Sequence, residues 1–193
     1  AWRRDCDIVF LATPNSVTGQ VIPRPEMEKI AHAALTRRAV VVADEAFIDF
    51  VEGESIKAAV QQNPYLIVLR SLTKYYALPG LRLGYILAGT STVARLAAYQ
   101  EPWSINAPAL NVALACVSDA RFEIKTEHWL EKERSFLSRR LARAGFCPFP
   151  SQANFLLVKT DPKALDAVQL RSFLAGKGIL IRACDTFAGL GAN

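Results

Sequence analysis

The stretch YLIVLRSLTKYYALPGLRLGYIL, residues 65–87, joins two apolar runs through a polar segment and a Pro-Gly turn. Residues 65–69 have the length and composition of a strand that is buried on both faces of a parallel sheet. A second strand is expected over residues 83–87, beyond the turn. The polar segment therefore begins at the carboxyl end of a strand, which is where open α/β sheets bind their ligands.

The rest of the first half alternates strands with helices. Continuous apolar runs over residues 7–12 and 39–43 predict two more buried strands. Apolar residues at helical spacing after Pro23 predict a helix, residues 55–62 a short one, and Thr90 or Ser91 can cap another. This alternation predicts an α/β fold with a mostly parallel sheet sandwiched by helices.

The pattern changes near residue 105. Residues 108–117 and 121–144 predict two helices, the second ended by Gly145. A strand over residues 154–158, a helix over 163–175 and a strand over 179–182 follow, and together they suggest a smaller α+β unit. We expect a first domain over residues 1–105 and a second region over 106–193.

The composition excludes several classes of protein. Of the 193 residues, 51% are hydrophobic and 21% charged, which excludes disordered and collagen-like chains. No apolar run approaches the roughly 18 residues of a membrane-spanning helix, so we expect no membrane partner. The net charge of +5 is not gathered into a basic stripe, so we expect no nucleic-acid partner.

The four cysteines do not form a metal-binding or disulfide pattern. They lie far apart without a C-x-x-C spacing, and only two histidines accompany them. We expect no metal site and a cytoplasmic location, where thiols stay reduced.

An acidic pair follows the Val-rich strand of residues 39–43. Asp44 and Glu45 stand where an NTPase Walker B motif would end, but that interpretation requires an upstream G-x-x-x-x-G-K-[ST] loop. No such loop occurs in the sequence. The alternatives are a helix cap and a catalytic carboxylate.

The polar segment after the strand of residues 65–69 reads Ser71-Leu72-Thr73-Lys74. An S-x-x-K motif also occurs in penicillin-binding enzymes, but those require Lys-Thr-Gly, and this chain has Lys159-Thr160-Asp161. Arg82 follows Lys74 by eight residues, after the turn.

Taken together, these stretches resemble the fold type I pyridoxal-phosphate enzymes of the class I and II aminotransferase superfamily. The resemblance is carried by residues 70–85, DEAFIDF at 44–50 and PWSINA at 102–107. Within the superfamily they look most like the threonine-phosphate decarboxylases of cobalamin biosynthesis, with the histidinol-phosphate aminotransferases as close relatives. The resemblance implies a large domain that binds pyridoxal 5'-phosphate, a small phosphorylated amino-acid substrate and a homodimer.

The resemblance implies three residues at the reactive part of the cofactor. Lys74 would attach the cofactor through its amine, and Asp44 would pair with the pyridine nitrogen, so that the ring can act as an electron sink. Asn15, in the turn TPNSVTG at residues 13–19, would donate a hydrogen bond to the phenolic oxygen.

Further residues would hold the phosphate of the cofactor and the substrate. Ser71 and Thr73 would donate hydroxyl hydrogen bonds to the cofactor phosphate, and Arg82 a guanidinium fork. Asn154 matches a family position near the substrate carboxylate, and Arg182 could face an anionic substrate group. An Asn that merely opens a strand and a solvated Arg are the alternatives at these two positions.

Two positions depart from the family pattern. Phe47 stands where aminotransferases usually have a Tyr whose hydroxyl also bonds the phenolic oxygen, so one donor is lost. Thr13 stands where the family usually has Asn.

The resemblance also implies segments beyond both ends of the sequence. Relatives supply a ring-stacking aromatic and a Gly/Ser phosphate loop before the first strand, and a carboxylate-binding Arg after Asn193. We therefore expect an internal fragment of a decarboxylase acting on L-threonine O-3-phosphate and releasing aminopropanol phosphate. A histidinol-phosphate-type aminotransferase is the alternative enzyme, and a catalytically incomplete folding or binding module is the non-enzymatic alternative.

Overall fold

The computed structural model describes residues 6–160 and 166–190 of the chain. Within this part, four strands form one sheet in the order β1 (Ile8–Ala12), β2 (Val40–Asp44), β3 (Leu66–Ser71) and β4 (Gly84–Ala88). The first three strands are parallel, and β4 is antiparallel to β3. The predicted α/β class with a mostly parallel sheet is confirmed.

The strand register brings the predicted ligand residues to one edge of the sheet. Ala12 pairs with Asp44, and Asp44 pairs with Leu69. Because β4 runs antiparallel, its first residue, Gly84, pairs with Ser71 near the end of β3. The segments that follow β1, β2 and β3 therefore meet the segment that precedes β4.

Helix α1 (Arg24–Arg37) covers one face of this sheet. Its start fits the sequence, because Pro23 precedes it and Pro25 lies in the first turn, where no intrahelical N–H bond is lost. Three residues of α1 are buried against β2 and β3: Met27, Ala31 and Ala34. Their partners in the strands are Val41, Ala43, Leu66 and Val68. On the opposite face Phe10 is 69% exposed.

The described residues up to 145 also contain four further helices and three 3-10 segments. The 3-10 segments are Ile48–Glu54, Lys57–Gln61 and Pro79–Leu81, and the helices are α2 (Leu72–Tyr75), α3 (Thr90–Ala97), α4 (Ala107–Val117) and α5 (Ala120–Arg143). Gly145, at φ 88°, ends α5 as expected. The predicted cap of α3 was wrong: the cap is Gly89, and Thr90 already lies in the first turn. None of the described helices is long and apolar enough to cross a membrane.

The C-terminal part contains a short antiparallel pair, β5 (Cys147–Pro148) with β6 (Val158–Lys159), and helix α6 (Ala167–Ala175). The strand expected over residues 154–158 is wrong, because only Val158 belongs to a strand. The chain just before this range is bonded to the turn at Gly19, since the Gln152 amide donates to the Gly19 carbonyl. Residues 179–182 form no strand and have no strand partner in the described part of the chain. Helix α6 starts later than predicted because Asp166 caps it, while residues 163–165 lie outside the described residues.

Candidate active site

Lys74 lies on the one-turn helix α2 that follows β3. Ser71 ends the strand and caps this helix, its Oγ accepting a hydrogen bond from the Thr73 amide at 3.3 Å. The Ser71 Oγ and Thr73 Oγ1 atoms lie 2.7 Å apart. The two hydroxyls therefore lie side by side, immediately before Lys74.

Asp44 and Asn15 each present one unengaged polar atom. The Oδ1 atom of Asp44 accepts from the Ala46 amide at 3.1 Å, and no described residue bonds its Oδ2. The Oδ1 atom of Asn15 accepts from the amides of Val17 and Thr18 at 2.9 and 3.0 Å. Asn15 is thereby fixed with its Nδ2 amide as the group free to donate, which is the polarity that a phenolic oxygen requires.

Arg82 lies at the start of the segment that leads into β4. Its backbone is left-handed, at φ 52°, a conformation that costs a non-glycine residue on the order of 1 kcal/mol. The side chain is exposed, and its Nη1 donates to the Pro79 carbonyl at 3.2 Å. The Leu72 amide bonds the Leu83 carbonyl at 3.2 Å, which keeps this segment beside Ser71.

The amine of Lys74 lies over an aromatic ring. Its Nζ is 5.6 Å from the centroid of Phe47, and Phe47 packs edge-on against Phe155 with ring centroids 5.3 Å apart. No acidic side chain of the described residues pairs with this Nζ. The amine would therefore be available to an aldehyde, because no carboxylate of the described residues occupies it.

A pocket of about 240 Å³ opens beside Lys74. Its wall is largely aromatic, with Phe50, Tyr75, Phe122 and Trp129, and Asn154 is an exposed polar group on it. The structure therefore brings Asn154 and Lys74, 80 positions apart in sequence, to one cavity.

The Asn154 segment is attached to the turn that contains Asn15. The Gln152 amide donates to the Gly19 carbonyl at 2.7 Å, and Gln152 Oε1 accepts from the Val21 amide at 3.3 Å. Gly19 has φ 70°, and a Cβ placed on it would lie 2.0 Å from Ser151 Oγ. Only glycine permits this contact, which holds the C-terminal part against the sheet.

A buried charge cluster, which the sequence analysis assigned no role, lies behind this edge. The guanidinium of Arg70 contacts three carboxylates: Glu45 at 3.0 Å, Asp49 at 3.0 Å and Glu52 at 2.9 Å. The side chains of Arg70 and Glu45 are 2% and 0% exposed. The one signal in the sequence was position, because Glu45 directly follows Asp44 and Arg70 directly precedes Ser71.

Burial and ion pairing shift the pKa values of this cluster in opposite directions. Desolvation raises the pKa of Asp49 to about 6, although Arg70 opposes the rise. Burial also acts to raise the pKa of Glu52, but hydrogen bonds from Arg70 and Lys57 outweigh it, so this pKa lies below its ordinary value. For Arg70, the carboxylates outweigh desolvation and the pKa is raised.

Arg182 is not brought to this edge by any described contact. Its guanidinium lies 5.1 Å from the centroid of Phe187, within its own segment, and the side chain is exposed. Its role toward the substrate stays a prediction. No group of three His, Cys, Asp or Glu in the described ranges is arranged to hold a metal ion.

The remaining predicted residues fit a pyridoxal-phosphate site chemically. The edge offers an amine without a counter-ion, a free carboxylate oxygen, a free amide donor, two adjacent hydroxyls and a guanidinium. These are the groups that an aldehyde, a pyridinium nitrogen, a phenolic oxygen and a phosphate require. Their individual roles remain predictions.

Comparison with known proteins agrees with this chemistry. Residues 2–189 match the family described as aminotransferase class I and II. The chain is 38% identical over 189 residues to a threonine-phosphate decarboxylase of Salmonella typhimurium, covering 96% of this chain and 51% of that protein. It is 32% identical to a histidinol-phosphate aminotransferase of Methanosarcina barkeri, covering 95% of this chain and 48% of that protein.

A solved structure is similarly close. The histidinol-phosphate aminotransferase of Clostridium acetobutylicum superposes with a TM-score of 0.90 at 30% identity, covering 97% of this chain and 57% of that one. The chain spans about half the length of the curated relatives it matches.

Proposed function

Since the chain belongs to the aminotransferase class I and II family, whose cofactor is pyridoxal 5'-phosphate, we propose that it serves an enzyme that decarboxylates L-threonine O-3-phosphate. The products are aminopropanol phosphate and carbon dioxide, a step of cobalamin biosynthesis. The observation that carries the catalytic part of this proposal is the pocket that Lys74 shares with Asn154.

Each residue of the edge has a role in this proposal. Lys74 would hold the cofactor through Nζ and, after carbon dioxide leaves, donate a proton to the substrate α-carbon. Asp44 Oδ2 accepts a hydrogen bond from the ring nitrogen and keeps it protonated, and Asn15 Nδ2 donates to the phenolic oxygen. When bound, the cofactor supplies an electron sink for the electron pair left at the α-carbon.

The phosphate groups have separate binding residues. Ser71, Thr73 and Arg82 bind the phosphate of the cofactor, with Arg82 releasing the Pro79 carbonyl to do so. Asn154 orients the substrate carboxylate, and Arg182 is proposed to face an anionic group of the substrate. Orientation decides the reaction, because the bond perpendicular to the ring plane is the one that breaks.

The threonine-phosphate substrate is favoured over histidinol phosphate by two observations. The chain is 38% identical to a threonine-phosphate decarboxylase and 32% to a histidinol-phosphate aminotransferase. It also has Phe47 at the position where aminotransferases usually have Tyr. A histidinol-phosphate-type aminotransferase is the second candidate, supported by the solved relative with a TM-score of 0.90.

Incubation of the full-length protein with L-threonine O-3-phosphate separates the two enzymes. The proposal expects carbon dioxide and aminopropanol phosphate, with none formed by the K74A variant. Transfer of the amino group of added histidinol phosphate to 2-oxoglutarate, which yields a ketone and glutamate without carbon dioxide, would support the aminotransferase. If neither product forms and no cofactor adduct is found, the non-enzymatic binding module is the interpretation that remains.

We also propose a cytoplasmic homodimer. All four cysteines are free thiols, as a reducing compartment would leave them. Sedimentation equilibrium of the full-length protein tests the dimer, and a monomer with full activity would overturn it.

A further inference from the structure

Two charged residues lie next to two proposed cofactor ligands. Glu45 follows Asp44, and Arg70 precedes Ser71. The Arg70 Nε lies 3.0 Å from Glu45 Oε2, an ion pair in which the N–H does not point along the hydrogen-bond direction. The Glu45 amide also donates to the Leu69 carbonyl at 2.9 Å, so the pair spans the ends of β2 and β3.

We propose that Arg70 and Glu45 are positioning residues that fix the spacing between Asp44 and Ser71, and with it the separation of the ring-nitrogen and phosphate contacts. This inference rests on the roles proposed above for Asp44 and Ser71. Arg70 acts through Ser71, because neighbouring strand residues point to opposite faces of a sheet. Arg70 shares the α1-covered face with Val68, whereas Ser71 points to the other face.

The pair is held from both sides. The Glu45 carboxylate accepts from Ser55 Oγ at 2.7 Å and from the Ile56 amide at 2.9 Å. The Arg70 Nη atoms donate to Asp49 and Glu52 at 2.9–3.0 Å. Neither side chain can move without breaking several bonds, which is the condition for a preorganised binding site.

Stability alone does not account for this arrangement. A buried ion pair loses much of its Coulomb energy to desolvation, and apolar residues of similar volume stabilise a core as well or better. What the ion pair adds is geometry, since a guanidinium that is carried by the end of β3 and paired with Glu45, just after β2, permits few alternative positions.

The test is a double-mutant cycle on cofactor affinity in the full-length protein. The variants are E45Q, which keeps the shape and the Ile56 bond, R70K, S71A and the two combinations with S71A. The dissociation constant of pyridoxal 5'-phosphate is measured for each, together with the unfolding midpoint of the cofactor-free protein. The matched controls are R24K and E28Q, because Arg24 and Glu28 form an exposed ion pair at which these are the same chemical changes.

We expect E45Q and R70K each to weaken binding about tenfold, and S71A to cost much less in either background than in the wild type. R24K and E28Q leave the affinity unchanged. Wild-type affinity in E45Q or R70K, or effects that simply multiply with that of S71A, would overturn the positioning role. If S71A alone binds normally, the proposed role of Ser71 is wrong and the inference falls with it. If R70K does not fold, the E45Q cycle decides.

Discussion

The amine nitrogen of Lys74 lies 5.6 Å from the centroid of the Phe47 ring, three residues after Asp44. A ring at this position shields the amine without offering it a hydrogen bond. A Tyr there would add a hydroxyl that can donate to the phenolic oxygen of the cofactor.

Replacing Phe47 by Tyr should therefore change how the bound cofactor titrates. The added donor stabilises the deprotonated form of the bound cofactor, because it donates to the phenolic oxygen. We therefore expect the pH midpoint of the visible absorbance change to fall by about one unit, which corresponds to a hydrogen bond of about 1.4 kcal/mol. F136Y makes the same chemical change on the exposed side of α5, outside the pocket of Lys74, and should leave the midpoint in place. An unchanged midpoint in F47Y would contradict the expected geometry.

Replacing Gly19 by Ala should separate the C-terminal part from the sheet. The new Cβ meets Ser151 Oγ at 2.0 Å, and the positive φ adds backbone strain. We expect a loss of about 2–4 kcal/mol in the free energy of unfolding, measured with urea. G53A is the control, because nothing lies within 4 Å of its added methyl. Equal stability of G19A and the wild type would refute the contact, and S151G should restore part of the loss.

Asn154 should affect substrate binding without affecting stability. It is exposed and makes no described hydrogen bond, yet it lines the pocket beside Lys74. We expect N154A to raise KM about tenfold, through loss of a hydrogen bond to a carboxylate, while the unfolding midpoint stays unchanged. N111A, on the exposed surface of α4, serves as the control. A normal KM in N154A would show that Asn154 does not bind the substrate.

Asp49 should make stability depend on pH. Its pKa is raised to about 6 in the folded state, so this state binds a proton that the unfolded state releases at a lower pH. The Asp49 contribution therefore stabilises at low pH and is lost as pH rises from about 4 to 6. The free energy of unfolding of D49N minus that of the wild type should therefore increase by about 2 kcal/mol from pH 4.5 to pH 7. A parallel trend in D49N and the wild type would disprove the raised pKa.

The sequence predicted the parts of the site that depend on local order. The apolar run at residues 39–43 ends directly before Asp44, and the run at residues 65–69 ends directly before Arg70 and Ser71. Parallel pairing of β2 and β3 then brings these ends together. It did not predict contacts that depend on packing between distant segments. Nothing in residues 151–154 shows that they lie on the Gly19 turn, and the apolar run at residues 179–182 suggested a strand although its Leu180 is 86% exposed. The Arg70 cluster was missed because Arg70 lies on β3, whereas its three carboxylates lie on and just before the 3-10 segment Ile48–Glu54, well before it in the sequence.

The central claim is that Lys74 carries the cofactor. The most direct measurement is borohydride reduction of the full-length protein with pyridoxal 5'-phosphate, followed by peptide mass spectrometry. The account predicts one reduced cofactor adduct, on Lys74, and none in K74A. An adduct on another lysine with Lys74 unmodified, or equal labelling of the wild type and K74A, would contradict it.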